Sequence, residues 1–393
     1  LDSLLAGRSG VGPITLFDAT SDFATRFAAE VSSFDPTQFI PKKKVKELGR
    51  FIALSLASSR LAADAAELEL TDEESERAGC FIGVGLGGLE KLEEVTLTLA
   101  TKGPKKVSPY IIPSIIGNLA AGQVSIQHGL RGPSYCHTSA CASSAHALGE
   151  AYEAIRSGRT DVMVAGGAEA TITPVGIGGF SAMFALSRRN DSPTQASRPF
   201  DRDRDGFVMG EGAGTLVLES LSRAKKRGAN ILCEISGWGA TSDAYHITKP
   251  APDHRFAANA MRAALRSAEL NPEDIGYINA HGTSTPAGDL EESNAIASVF
   301  GDHALTKQVW VSSTKSMMGH LLGASGAVEA AVCAHAVQHG HIPPTINLDN
   351  QDPACPLDFV AHQARERPTR HAMSNSFGFG GTNCVLVISA FEG

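Results

Sequence analysis

The sequence predicts an α/β protein in two packed halves, with sheets buried between helices. Three observations lead there. Short apolar runs alternate with helical patterns along the whole chain. Forty glycines in 393 residues supply many tight strand-to-helix turns, and charged residues at 19% exclude a disordered or helical-repeat composition. The strand runs are near-continuously apolar, as in sheets covered on both faces.

The strands expected in order are Phe81–Val84, Val162–Ala165, Gly214–Leu218, Ile231–Ile235, Tyr277–Ala280, Val309–Ser312 and Cys384–Ile388. Helical patterns fill many gaps, notably Asp253–Ala268, Leu290–Phe300 and Gly326–His339. A charged segment ending at Lys225-Lys-Arg-Gly228 closes one half, so the units are 1–228 and 229–393, packed together and not joined by a flexible linker. Each half uses strands that end in Gly-rich turns followed by helices, a faint internal echo.

Composition also excludes functions. No CxxC or HExxH spacing occurs, so neither a structural zinc site nor a zincin-type protease is expected. Seven scattered cysteines fit reduced thiols in the cytoplasm, or in an organelle matrix if a transit peptide has been removed. No apolar run spans a membrane, no signal-peptide pattern opens the chain, and a net charge of −8 argues against nucleic acid. Lys42, Lys43, Lys44, Lys46 and Arg50 are the local exception, at the start of a helix continuing through Phe51, Leu54 and Leu56. That run reads as a solvated face or as a docking surface for an acidic partner.

Cys141 lies in Cys136-His-Thr-Ser-Ala-Cys141-Ala-Ser-Ser-Ala-His146, a small-residue turn feeding a helix whose buried face is Ala145, Leu148, Tyr152 and Ile155. A helix N-terminus favours a thiolate, which would make Cys141 nucleophilic. Alone it would read as a small buried residue. Later turns change that reading. Tyr277-Ile-Asn-Ala-His281-Gly-Thr283-Ser-Thr285 leaves a strand, and Asp289 is positioned to cap the helix from Leu290. Val311-Ser-Ser-Thr-Lys315-Ser-Met-Met-Gly-His320 does the same, and Asn375-Ser-Phe377-Gly-Phe379-Gly-Gly-Thr-Asn383 is a glycine-lined turn before the last strand. A nucleophile, two imidazoles, an ammonium and a flexible backbone turn are the parts that acyl transfer through a thioester requires.

These residues resemble the β-ketoacyl-[acyl-carrier-protein] synthases of the elongating class, bacterial synthase II type, in the thiolase superfamily. The resemblance runs from about Leu4 to the C-terminus. It is carried by Thr138-Ser-Ala-Cys141-Ala-Ser, Asp161 to Glu169, Arg198-Pro-Phe-Asp201 with Asp205-Gly-Phe, and Gly210-Glu-Gly-Ala-Gly214. Further carriers are His281-Gly-Thr-Ser-Thr-Pro, Lys315 to His320, and Gly378-Phe-Gly-Gly-Thr-Asn383. It implies a thiolase-like five-layered αβαβα fold with two pseudo-symmetric halves, and a homodimer. The family opens with a strand and a Gly-rich turn that this chain lacks before Leu1; a truncated N-terminus is the reading, and a central sheet would lack a member.

The resemblance assigns Cys141, His281 and His320 as the catalytic triad, with backbone N–H groups of Cys141 and Phe379 as the oxyanion hole. Lys315, linked to Glu329, orients the histidine site. Thr283 and Thr285 bind the pantetheine arm, Phe379 gates the acyl tunnel, and Leu86, Phe180 and Phe184 are candidates for its wall. Acyl-Cys141 then condenses with malonyl carrier protein after decarboxylation. No cofactor is implied, because the acyl and malonyl thioesters carry phosphopantetheine on an acyl carrier protein, and no metal is expected. Two histidines separate this class from initiating synthases (His and Asn) and thiolases (His and a second Cys), so Cys384 reads as a strand residue. A non-condensing acyltransferase or hydrolase using the same acyl-Cys141, and a polyketide-type ketosynthase, stay open; an inactive scaffold is disfavoured because every reactive residue is present. Gly83-Val-Gly85-Leu-Gly-Gly88 has the wrong spacing for a dinucleotide. Asp201-Arg-Asp-Arg-Asp205 reads as paired charges, and His339-Gly-His341 as exposed.

Overall fold

The computed structural model describes residues 1–252 and 254–393. The first sheet contains β1 (Ala78–Gly83), β2 (Ser134–His137), β3 (Val162–Glu169) and β4 (Gly212–Glu219), in spatial order β2-β1-β3-β4. The second contains β5 (Glu234–Ser242), β6 (Tyr277–Asn279), β7 (Trp310–Ser312), β8 (His371–Gly378) and β9 (Thr382–Ser389), in order β5-β9-β8-β6-β7. Within each sheet three strands run parallel and β4 or β9 runs antiparallel beside them. Strands β1 to β4 therefore correspond to β6 to β9, which makes the echo between the halves an internal pseudo-symmetry.

Eight longer helices complete the layers: α1 (Arg50–Ala65), α2 (Leu89–Lys102), α3 (Asn118–His128), α4 (Ser143–Arg156), α5 (Pro174–Ala182), α6 (Arg255–Ala268), α7 (Pro286–Phe300) and α8 (Ser325–His339). Helices α4 and α8 lie between the sheets. Their alanines Ala145, Ala147, Ala151, Ala327 and Ala330 share one core with Phe81 and Met163 of the first sheet and Ala372 and Leu386 of the second. Small side chains allow this helix pair to fit between two sheets at interior packing density. On the outer faces, Phe51, Ile52 and Val124 pack on Cys80, Ile82 and Val164, while Met261, Ala264 and Ile296 pack on Ile278, Val311 and Val385. The result is the five-layered αβαβα arrangement expected.

Several boundaries differ from the sequence reading, each for a tertiary reason. The strand expected at Ile231–Ile235 runs from Glu234 to Ser242, because pairing with β9 extends it. The helix expected at Asp253–Ala268 begins at Arg255, and Asp253 lies outside the described residues. Helix α7 starts at Pro286, so Asp289 is not its cap; the buried carboxylate instead accepts from Ser284 N at 3.0 Å and Phe200 N at 2.8 Å. Asn375 to Gly378 belong to β8 and not to a turn. The first sheet has one strand fewer than the second. The difference lies at the outer edge of β4, where no strand pairs among the described residues.

Candidate active site

Four strand ends meet at the carboxyl side of the two sheets, where α/β folds present their chemistry. The turn after β2 carries Cys141, that after β6 His281, that after β7 Lys315 and His320, and the β8–β9 hairpin Phe379. By the pseudo-symmetry the Cys141 and His320 turns are equivalent, each joining its strand to one of the two central helices.

Cys141 sits in a single 3-10 turn, Ala140–Ala142, that runs into α4. Ala140 has φ +50°, a left-handed conformation that costs a non-glycine residue about 1–3 kcal/mol and persists only where neighbours hold it. Ser143 Oγ holds it, accepting from Ser139 N at 2.9 Å and donating to Ala140 O at 2.6 Å. Backbone N–H groups of Phe379 and of Cys141 itself lie close enough to the Cys141 sulfur to pull its pKa down. One comes from the β8–β9 hairpin and the other from the turn that opens α4.

The thiolate expected from the helix terminus is not the resting state. Burial pushes the Cys141 thiol up to about 11, against the opposing pull of Lys315 and the two amides. At neutral pH the group is a thiol that must lose its proton to react. Iodoacetamide alkylation of Cys141 should therefore rise about tenfold per pH unit from 7 to 9, without levelling. A plateau below pH 9, read by mass spectrometry of the Cys141 peptide, would contradict this.

His281 and His320 face each other edge-on, their ring centroids 5.3 Å apart at 86°. One ring nitrogen of each and the Cys141 sulfur lie within 4.8 Å of one another, the one such trio among the described residues. His320 is 2% exposed, and its Nδ1 accepts from Leu322 N at 3.3 Å and contacts Ser325 Oγ at 2.9 Å. A backbone N–H donating to Nδ1 leaves the ring proton on Nε2, which is buried without a partner. Glu292 grips the other loop: it accepts from His281 N at 2.8 Å and Gly282 N at 2.7 Å, and from Asn375 Nδ2 at 3.0 Å. Burial, then Lys315, hold both imidazoles well below their ordinary pKa, with His320 adding to the effect on His281. Both are neutral at pH 7.

Lys315 is fully buried and paired to Glu329 of α8, also fully buried. Lys315→Ala leaves that carboxylate without its counter-charge and should destabilise the fold by about 3–5 kcal/mol. Decarboxylation should fall further than self-acylation, because the ammonium acts on the histidines. Pairing Lys315→Met with Glu329→Gln should restore the melting temperature but not decarboxylation; recovery of both would make the pair purely structural.

A cavity of about 400 Å³ opens over these groups, and Cys141, His281, His320, Phe180, Phe184 and Phe379 line it. Thr283 and Thr285 also line it, with their hydroxyls 3.0 Å apart. Leu86 does not: its side chain is 54% exposed, and only its backbone is engaged, donating to Glu169 at 3.1 Å. The apolar wall comes instead from Met183, Phe207, Leu322 and Phe377, which the sequence reading missed. Gly378 brings the hairpin against the Cys141 turn. A Cβ there would lie 2.8 Å from Ser139 O and 3.1 Å from Cys141 N. Gly378→Ala should lower Cys141 acylation by about 10²-fold by displacing the amide pair, with an unchanged circular dichroism spectrum. Acylation within threefold of the parent would refute the placement.

The profile of the Beta-ketoacyl synthase N-terminal domain matches residues 1–224, and that of the C-terminal domain matches 232–349. The chain belongs to the β-ketoacyl synthase family. It is 48% identical over 389 residues to 3-oxoacyl-[acyl-carrier-protein] synthase 2 of Synechocystis sp., covering 99% of this chain and 93% of that protein. With the Vibrio cholerae synthase 2 the identity is 50% over 386 residues, covering 98% and 93%. A β-ketoacyl synthase from Burkholderia phymatum superposes with a TM-score of 0.91 at 38% identity, covering 100% of this chain and 94% of that one. The ishigamide ketosynthase/chain length factor gives 0.92 at 36%, with the same coverage.

In this synthase the supporting groups Ser325, Glu292 and Asn375 carried no local signal; only the fold brings them to the histidines. The charge runs separate into structural and exposed parts. Lys42, Lys43, Lys44 and Lys46 are exposed around a short helical turn (Lys42–Val45), whereas Arg50 opens α1 and bonds Glu211 at 2.6 and 2.7 Å. Arg50 is therefore a structural member and leaves the patch. The Asp201–Asp205 run is paired mainly with partners outside it, Arg198–Asp201 at 3.0 Å and Arg204–Asp352 at 2.8 Å, and within it only Arg202 and Asp203 approach, at 3.9 Å. Gly85, Leu86 and Gly87 turn their N–H groups onto buried Glu169, a tight packing role and no nucleotide loop.

Proposed function

We propose that this synthase catalyses the decarboxylating condensation of an acyl thioester with malonyl-[acyl-carrier-protein], giving 3-oxoacyl-[acyl-carrier-protein] and carbon dioxide, as chain elongation in fatty-acid synthesis. The single observation that carries it is the paired neutral imidazoles beside Cys141, with His320 Nε2 an unpartnered donor. A transferase that merely passed the acyl group on would need one base. Two ring donors suit an enolate.

In this reading the Cys141 sulfur attacks the acyl thioester carbonyl while its proton passes to a neighbouring neutral imidazole and leaves with the pantetheine thiol. The N–H groups of Cys141 and Phe379 hold the oxyanion. Malonyl thioester then enters, its carbonyl oxygen accepting from His281 and His320. Loss of carbon dioxide leaves the electron pair on the enolate, whose carbon attacks acyl-Cys141 and expels the sulfur as thiolate. Thr283 and Thr285 guide the pantetheine arm, and the substrates bring the only prosthetic group.

The elongating role rests on synthase 2 relatives at 46–50% identity. A type II polyketide ketosynthase solved with its acyl carrier protein and a hexaketide is 33% identical, with a TM-score of 0.91, and supports carrier-protein docking here. Exposed Arg188 lies over the Phe184 ring of the cavity wall, and Lys249 lines the cavity, so both offer positive charge to an acidic carrier protein. A second copy of the chain is the other partner. Strand β2 is a sheet edge with Tyr135 54% exposed, and Ile126 (71%) and Leu97 (66%) on α3 and α2 are also open to water. Light scattering at about twice 41.1 kDa would support it. No helix among the described residues is long and apolar enough to cross a membrane, and we expect a cytoplasmic enzyme.

Incubation with acyl and malonyl carrier protein tests the reaction. An acyl adduct on Cys141 and a 3-ketoacyl product two carbons longer are expected. Acylation without carbon dioxide release would overturn condensation and favour the transferase.

A further inference from the structure

We propose that His335, His339 and His341 form a second site, for a divalent transition-metal cation of the zinc or nickel type. None of the three lines the Cys141 cavity, and the proposal is independent of the condensation reaction.

The segment reads His335-Ala-Val-Gln-His339-Gly-His341. His335 and His339 stand one turn apart on the same face of the last turns of α8. Gly340 then caps the helix at φ +73° and turns the chain, so His341 starts a two-residue ribbon paired with Arg365–Glu366. That reversal brings the third imidazole beside the first two. Ring centroids are 4.4 Å apart for His335–His339, 5.8 Å for His335–His341 and 6.3 Å for His339–His341. The sequence expectation that His341 is exposed is corrected here, since the ribbon half-buries it.

A cluster of three imidazoles needs a reason, because protonated rings at this spacing repel. His335 stands between the other two rings, nearer to each than they are to one another. Its Nε2 is buried and has no hydrogen-bond partner. A buried nitrogen left unsatisfied is unfavourable, and a cation would satisfy it. Glu366 Oε1 stands 3.5 Å from His341 Nε2, close enough to orient that ring or to add an oxygen ligand. Imidazole donors suit zinc, copper and nickel, whereas calcium and magnesium prefer oxygen. The rings are close but not converged. Closing them requires exposed His339 to rotate from its 4.4 Å contact with His335.

The site ties the end of α8 to the ribbon. The same helix carries Glu329, so a bound cation braces the element that holds Lys315.

The test is calorimetric titration of the untagged chain with Ni²⁺, in parent, His339→Ala and Cys141→Ala forms. The Cys141 variant is needed because Cys141, His281 and His320 are themselves a trio of metal-ligating types. Saturable binding is expected that survives Cys141→Ala, weakens at least tenfold in His339→Ala, and raises the melting temperature of the parent and of Cys141→Ala but not of His339→Ala. His339→Ala should keep full condensing activity, which shows that it folds. Binding lost in Cys141→Ala, binding unchanged in His339→Ala, or no binding to the parent would each overturn the proposal.

Discussion

Cys141→Ala will abolish acyl-enzyme formation and lower condensation by about 10⁴-fold or more, as loss of a covalent nucleophile does in a site built around it. The small alanine fits the buried turn, since Ala140 and Ala142 flank it and Ser143 still pins the backbone at both ends. Melting temperature should therefore change little. His281 and His320 are untouched by the substitution, so malonyl carrier protein should still lose carbon dioxide, uncoupled from chain extension. The check is simultaneous: an acyl adduct by mass spectrometry, and carbon dioxide release without primer. Condensation above a hundredth of the parent rate would show that another group carries the acyl chain.

The complementary variant, His320→Ala, should separate the half-reactions the other way. Removing one preformed donor from a developing oxyanion lowers a rate by about 10²–10³-fold. That loss should fall on decarboxylation, while acylation of Cys141 stays within tenfold of the parent. Ser325→Ala should give a milder form of the same defect, because it removes only a contact at Nδ1 and leaves the Leu322 N–H in place. Equal losses in both half-reactions would assign His320 to proton transfer from Cys141 instead. Since both imidazoles are held well below their ordinary pKa, decarboxylation should not decline as pH falls from 8 to 6 through histidine protonation. A fall with midpoint near 6.5 would contradict the buried, neutral pair.

Much of this site could be read along the chain because its reactive residues sit where local rules are strong. His281 and His320 each follow an apolar strand, within turns rich in small residues, and such turns leave a local pattern. Cys141 was legible from its small-residue turn alone, because the strand before it, Ser134–His137, is polar and half-exposed. The hairpin was harder. Along the chain Asn375–Asn383 reads as a turn and His371–Ser374 carries no strand signal, because Ser374, Asn375 and Ser376 interrupt the apolar pattern. Yet all three are almost fully buried in β8, and Asn375 is there to hold Glu292. Asp289 misled in the same way. It looks like a cap by spacing, but its carboxylate answers the backbone of Phe200, 89 residues away. Leu86 is a candidate for the acyl wall on its apolar character, but it is exposed and does not line the cavity.

The sequence by itself determined the fold class and which thiol and imidazoles sit on turns between strand and helix, because hydrophobic period and residue chemistry are local properties. The tertiary structure alone decided the protonation states, the supporting partners and the cavity wall. Cys141 is a thiol pushed up to about 11 instead of a thiolate, since the burial created by two packed halves outweighs its helix terminus. His320 becomes a donor at Nε2 only because Leu322 and Ser325 occupy Nδ1. Desolvation and long-range hydrogen bonds depend on what surrounds a group in space, and a chain read in order contains no record of that.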